Sequence, residues 1–441
     1  MDRRSFLGVA AAGAGAIALG GAGLGSGTAR LPGDPALAGY RAGVGRRPYP
    51  WSPEGTDHLP QIDHIVCVMM ENHSFDNILG VLGRGDGFTM KDGKPTNSNP
   101  NKKGAQLTAF HMPTPCQTTS PSQAWNASHE QYDKGTNQGF VTSPSGPVAM
   151  GYWKRQDLPF TYSLASTFPI ADQWHCSLLG QTDPNRRYLL AGTSLGLIND
   201  GLPTELPPNG TIMDQLHKHG ITWRNYFSNL PSVLVWYGLY GKSWVMENLV
   251  NIDEFYTDCA NGKLPSFSMV DPNFSTSSEE NPQDIQFGEV FLSKVVNAVM
   301  HGPKWEKTLL IWNYDEHGGY YDHVPPPSAP IPDNVPPMLE RGDVKGKFDR
   351  FGFRVPAGLV SPYAKPNHVS HVLYDHTSVL KLIHTKFNLP SLTHRDAAAN
   401  DVRDMVDFSK PPAFLKPPKL HPPVNPALRD SCEKTGPGPI P

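Results

Sequence analysis

No stretch of the 441-residue sequence is apolar and long enough to stand out as a permanent membrane span, cysteine is scarce at 5 residues, and neither sign of charge dominates. Each shortage removes a class. Cys67, Cys116, Cys176, Cys259 and Cys432 are too few for a disulfide-built scaffold and odd in number, and none has the Cys-x-x-Cys spacing of a zinc site. Cys67, inside an apolar run, reads as a buried free thiol; one or two disulfides among the others stay open, with no pairing indicated. With 38 Lys+Arg against 41 Asp+Glu the formal net charge is −3, so the concentrated basic surface that a nucleic-acid backbone needs is missing. Nucleic acid is excluded as a partner, and recognition of any anion must be local. What the chain has in quantity is Gly and Pro, 42 and 45 residues, with only 38% hydrophobic residues, which reads as a folded protein with long, proline-stiffened loops.

The N-terminus runs Met1-Asp2-Arg3-Arg4-Ser5-Phe6-Leu7 and continues in Ala and Gly to about residue 29. Paired arginines ahead of a mildly apolar, uncharged stretch form a twin-arginine (Tat) export signal. Ala and Gly insert too weakly to favour the alternative, a membrane anchor. Small-residue cleavage sites stand at Gly27-Thr28-Ala29 and Ala36-Leu37-Ala38. Residues 1–38 are therefore expected to be the signal, 39–410 the working domain, and 411–441 a Pro-rich tail that wraps the surface or is mobile. The expected location is the cell envelope or the medium, with the Tat translocase as a partner during export.

Three apolar runs, Ile62 to Met70, Phe267 to Val270 and Thr308 to Trp312, have the unbroken hydrophobicity of strands buried on both faces, and each ends in acids or amides. Helical patterns alternate with them: Thr211 to Gly220, opened by the capping-box pattern Thr211-Ile212-Met213-Asp214, then Asp284 to Met300 and Thr377 to Phe387, while Ile221 to Phe227 reads as a further strand. The alternation predicts an α/β fold, doubly wound around a mainly parallel sheet with helices on both faces, whose ligands bind beyond the carboxyl ends of the strands. Residues 81–150, 228–262 and 325–350 lack a period and are expected to be loops or a cap over that edge.

Three segments carry chemistry. Glu71 and Asn72, in Met69-Met70-Glu71-Asn72-His73-Ser74-Phe75-Asp76, place a carboxylate and an amide oxygen at a strand end; they can bind a divalent cation or cap the next helix. Asp315 and Glu316 end another buried strand in Asn313-Tyr314-Asp315-Glu316-His317-Gly318-Gly319-Tyr320-Tyr321-Asp322-His323, where neighbouring desolvated acids call for a cation or strong donors unless the turn is solvated. Asp322 and His323 either orient one another or form an ordinary loop pair. In Gly180-Gln181-Thr182-Asp183-Pro184-Asn185-Arg186, Asp183 suits an N-cap and Pro184 a first helical position, so Thr182 falls just outside a helix N-terminus. That end favours a phosphate, and a threonine there is either a simple residue of the helix start or, beside a cation, an activated nucleophile. His129 and His376 sit among polar residues and can bind a phosphoryl oxygen, donate to a leaving group, or merely cap a helix.

Together these segments resemble the bacterial phosphoesterase family of phospholipases C and acid phosphatases, a branch of the alkaline phosphatase and sulfatase superfamily. The matches are Glu71-Asn72-His73-Ser74-Phe75-Asp76, Thr182-Asp183-Pro184-Asn185-Arg186, Asp271-Pro272-Asn273-Phe274 and the block from Asp315 to Pro327, in family order across most of the chain after the signal. The resemblance implies an alkaline phosphatase-like fold for a catalytic domain over 39–410. It implies one divalent metal ion (Ca, Mn, Mg or Zn) held by Glu71, Asn72, Asp315 and Glu316, with Thr182 as nucleophile where some members have Ser. His129, His323 and His376 would act as phosphate-binding or acid/base groups, and Asn185, Asp271 and His317 as substrate-binding residues. The implied activity is phospholipase C cleavage of a phospholipid, with transient contact to a membrane surface. An exported acid phosphatase acting on small phosphate esters is the alternative, and a non-catalytic binding protein a more distant one. The chain departs from the pattern at His73, where many members have Arg, in 228–262, and in ending with a short tail instead of further domains.

Overall fold

The predicted strands form the middle of an eight-stranded sheet in the computed structural model, which describes residues 44–441 except Arg429; the expected export signal lies outside the described residues. In chain order the strands are β1 (His64–Met70), β2 (Ile170–Ala171), β3 (Trp223–Phe227), β4 (Leu249–Asn251), β5 (Phe267–Asp271), β6 (Thr308–Tyr314), β7 (Ala357–Val360) and β8 (Val369–Ser370). They lie side by side as β4-β3-β5-β1-β6-β7-β2-β8. The first five in that order are parallel and β7 runs against both its neighbours, so the sheet is mainly parallel. Every residue of β5, β6 and β7 is buried, so both faces of the sheet are covered there.

The helices that position the site are α1 (Phe75–Leu79), α2 (Trp125–Tyr132), α3 (Pro159–Thr167), α4 (Thr182–Ala191), α5 (Ile212–Lys218), α6 (Ile252–Asn261), α7 (Ile285–His301) and α8 (Thr377–Phe387). The capping box at Thr211 and Asp214 forms as the sequence predicts, with both reciprocal hydrogen bonds made. Helix α7 buries Leu292, Val295, Val296 and Val299, each contributing about 1.5–3 kcal/mol relative to exposure. Among the described residues no helix is long and apolar enough to cross a membrane.

Three expectations need correction. Residues 228–262 are not loop alone: they hold the edge strand β4 and the ten-residue α6, whose N-terminus is capped by the Asn251 side chain and whose turnout is made by Gly262 at φ +66°. Residues 81–150 contain α2 and several two-stranded ribbons. Helix α4 begins at Thr182, with Gln181 as N-cap, earlier than Pro184 suggested, because the Asp183 amide donates to Asp200 Oδ1 (2.9 Å) while Asp183 itself pairs with Arg187 one turn on. The Pro-rich tail wraps the body: Phe414 packs on Phe168 at 4.7 Å, and a disulfide joins Cys432 to Cys116. Cys67, Cys176 and Cys259 are buried free thiols.

Candidate active site

Strand register assembles the site. β1 and β6 are parallel neighbours with Met70 opposite Tyr314, so the chain leaves both strands at the same level and sets Glu71-Asn72 beside Asp315-Glu316. All four residues are buried. Asn72 Nδ2 donates to Glu316 Oε1 and lies 3.5 Å from Thr182 Oγ1, which brings the three predicted segments to one place. The Asp315 amide donates to Met70 O (3.1 Å), and the Gly318 amide to Glu316 Oε2 (2.7 Å). Gly318 has φ +64°, and a Cβ there would collide with the Asn72 backbone oxygen, so the close approach of the two loops requires glycine.

Arg186, one turn after Thr182 on α4, is the residue the sequence reading quoted without giving it a role. Its guanidinium lies 3.0 Å from Asp315 Oδ2 and 3.7 Å from both Glu71 Oε1 and Asp271 Oδ1. The helical spacing from Thr182 was the signal that could have found it. Asp271 is thus a support for Arg186, and it also accepts from the Ser232 amide (2.7 Å), Ser232 Oγ (2.6 Å) and Asn225 Nδ2 (2.7 Å). Asn185, expected to touch substrate, instead uses its whole amide on the backbone before the helix: Oδ1 accepts from the Ser177 and Leu178 amides, and Nδ2 donates to Gly180 O and Gln181 O. It shapes the approach to Thr182.

The histidines separate. His376 is buried at the start of α8, Nε2 2.6 Å from Asp315 O, and burial lowers it to about 4. His317 is buried beside Glu316 with Nε2 2.7 Å from Gln131 Oε1, and burial lowers it to about 3. Both rings are therefore neutral at pH 7. His129 sits on α2 with Nδ1 2.7 Å from Trp125 O and lines a cavity of about 130 Å³ with Tyr132, Leu178 and Arg350. None of its described contacts reaches Thr182 or the acids. His73 stacks on Tyr320 at 5.0 Å and bonds Glu279 O, away from the ligand candidates.

His323 belongs to another cluster. Asp76, Asp322 and His323 offer ligand atoms within 4.8 Å of one another, a grouping of the kind that can hold a metal. Here, however, the Arg354 guanidinium lies 2.9 Å from Asp322 Oδ1 and 3.2 Å from Asp76 Oδ1, and His323 Nδ1 is 2.7 Å from Asp76 Oδ2. Burial lowers the His323 pKa, but its bond to Asp76 and the charges of Asp76 and Asp322 outweigh that and hold it at about 9. Two buried carboxylates face two cations, and a third, the half-exposed Asp86, lies 3.2 Å from His323 Nε2 and 3.9 Å from Arg354 on the solvent side.

The Glu71 cluster is different. Glu71, Asp271 and Asp315 share one guanidinium, Glu316 adds a fourth carboxyl beside them, and the two nearby imidazoles are neutral. Burial, then the neighbouring Asp315 and Glu71 carboxylates, push Glu316 well above the ordinary carboxylate range despite the bonds from Gly318 and Asn72. Asn72 Oδ1 is buried without a hydrogen-bond partner among the described residues. Excess buried negative charge and an open amide oxygen, in an all-oxygen donor set, fit a hard or borderline divalent cation.

The profile of the phosphoesterase family matches residues 62–390, which contain all of these residues. The chain is 32% identical to phospholipase C B of Mycobacterium tuberculosis, covering 83% of this chain and 82% of the relative. It is 32% identical to non-specific phospholipase C6 of Arabidopsis thaliana, over 80% and 73%. Among solved structures, a protein in the alkaline phosphatase superfamily from Vibrio parahaemolyticus is similar at 12% identity and a TM-score of 0.34, over 74% of this chain and 78% of that one. With the match spanning the sheet, both acid-bearing loops and helix α4, the chain belongs to the phosphoesterase family and is a hydrolase of phosphoric esters.

Proposed function

We propose that this phosphoesterase is an exported, metal-dependent phospholipase C that cleaves a phospholipid to diacylglycerol and a phosphorylated headgroup, with Thr182 as nucleophile. The observation that carries the reading is the convergence of Glu71, Asn72, Asp315 and Glu316 on a threonine at the first position of a buried helix. A divalent ion held by those four residues would balance their charge and favour the ionised form of a neighbouring hydroxyl.

The chain's own groups divide the remaining work. Thr182 Oγ1 attacks phosphorus, an O–P bond to threonine forms as the O–P bond to the alcohol breaks, and water then hydrolyses the threonine ester. Asn72 Nδ2 orients the hydroxyl, and the N-terminal end of α4 favours the negative phosphoryl group. Asn185 holds the turn that presents Thr182, and Arg186 fixes Asp315 and Glu71 in place. His376 supports the Asp315 backbone and His317 flanks Glu316, which are positioning roles.

The test compares hydrolysis of a chromogenic phosphocholine diester with that of a phosphomonoester, before and after chelation and after return of Ca, Mn, Mg or Zn singly. Diester preference with chelation-sensitive turnover supports the reading, and a monoester preference of about tenfold or more replaces it with an acid phosphatase using the same centre. Export through the Tat translocase is supported by the paired arginines and by a disulfide, which persists in oxidising compartments. Arg3→Lys with Arg4→Lys should retain the precursor inside the cell.

A further inference from the structure

An apolar hollow adjoins the nucleophile helix. Asp183, Arg186 and Ser232 form its polar wall, and the rest is apolar, with Leu202, Tyr237 and Phe274 among its lining. The Arg186 guanidinium lies 5.0 Å over the Phe274 ring, so the residue that anchors Asp315 and Glu71 is also a wall of this hollow. Its 40 Å³ accommodates about three water-sized groups, too little for an acyl chain. Outside it the apolar surface continues: the Tyr237 ring stacks on Tyr240 at 5.2 Å and 7°, and Tyr240 is 48% exposed. An exposed aromatic ring with a polar tip suits the boundary between hydrocarbon and water.

Resting on the phospholipase reading, we propose that the hollow beside Arg186 receives the first two or three carbons of the substrate's apolar alcohol, and that the stacked Tyr237 and Tyr240 rings carry the acyl chains beyond it. The 228–262 region, which departs from the family pattern, would thereby set the preference for lipid over water-soluble esters. Its size and lining favour hydrocarbon over a choline or sugar headgroup, because no carboxylate other than Asp183, already paired with Arg187 at 3.8 Å, faces the hollow among its lining residues.

The experiment reads a ratio, kcat/KM on monomeric dihexanoyl phosphatidylcholine divided by kcat/KM on glycerophosphocholine. Replacing Tyr237→Ser together with Tyr240→Ser should lower this ratio by about tenfold or more, while Tyr237→Phe with Tyr240→Phe should keep it. Leu202→Asn, on a separate segment, should lower it likewise and serves if the serine pair is unfolded. A ratio within about twofold of wild type in the folded serine pair and in Leu202→Asn overturns the inference, as would a fall in both rates together. Wild-type protein inert on both esters would overturn the proposed function itself, and this inference with it.

Discussion

The loops that follow β1 and β6 each contribute to two clusters of charge, and the two differ in balance. Close to the strands, Glu71 and Asp315, with Asp271 behind them, share Arg186, and Glu316 lies beside them bonded to Asn72. A few residues further along the same loops, Asp76 and Asp322 meet Arg354 and a protonated His323. In the outer cluster both buried carboxylates are matched by a cation, and the third acid, Asp86, is half exposed to solvent, so the cluster serves as a clasp between the loops. The inner one is electrostatically unfinished, and a buried deficit of that kind persists where a ligand completes it.

That contrast can be broken in five ways, beginning with the largest effects. Thr182→Ala should lower turnover by about three orders of magnitude or more with the thermal midpoint nearly unchanged, measured as kcat on the phosphocholine diester beside a melting curve. Asp315→Asn should cost similarly in turnover and should abolish the rise in melting temperature that the added divalent cation causes in wild type. A cation response that survives this change would place the ion elsewhere.

Arg354→Leu leaves two buried carboxylates without their guanidinium and should destabilise by about 3–5 kcal/mol in chemical denaturation. Glu316→Gln sharpens the opposition, because it removes one of the crowded acids: the chelated protein should gain on the order of 1 kcal/mol. A carboxyl raised by folding destabilises as pH rises above its unfolded value, so that gain should grow from pH 4.5 upward. In the outer cluster the sign reverses. His323, raised from 6.5 to about 9, stabilises fully below pH 6.5, and that stabilisation is lost as pH rises through about 9. The loss should be about 2 kcal/mol after discounting partial exposure, and a His323→Gln variant should show a flatter profile.

The sheet was legible because its central strands are continuous apolar runs ended abruptly by acids, a pattern that follows directly from burial on both faces. Short elements were not: β2, β8 and β4 have two or three residues, below any detectable period, and their pairing comes from tertiary contact. In the site, the acids and Thr182 stood out because strand ends and a helix start locate them. Arg354 did not, since its partner Asp322 is 32 residues away and only the folded topology joins them; Arg186 had the helical spacing from Thr182 to mark it, but its partner Asp315, 129 residues on, shows only in the fold. Two of the histidines lie apart from Thr182 for a related reason. His129 and His323 occur in suggestive polar company, but one bonds within its own helix and the other is held by Asp76.

The bond between Cys116 and Cys432 spans 316 positions of the chain and closes them into a covalent ring that holds β2 to β8, the Asp315 loop and helix α4, while β1 and the Glu71 loop lie outside it. A protease that cuts once between those cysteines therefore opens the ring without releasing a fragment. The nicked protein should run as one species on a non-reducing gel and as two after reduction.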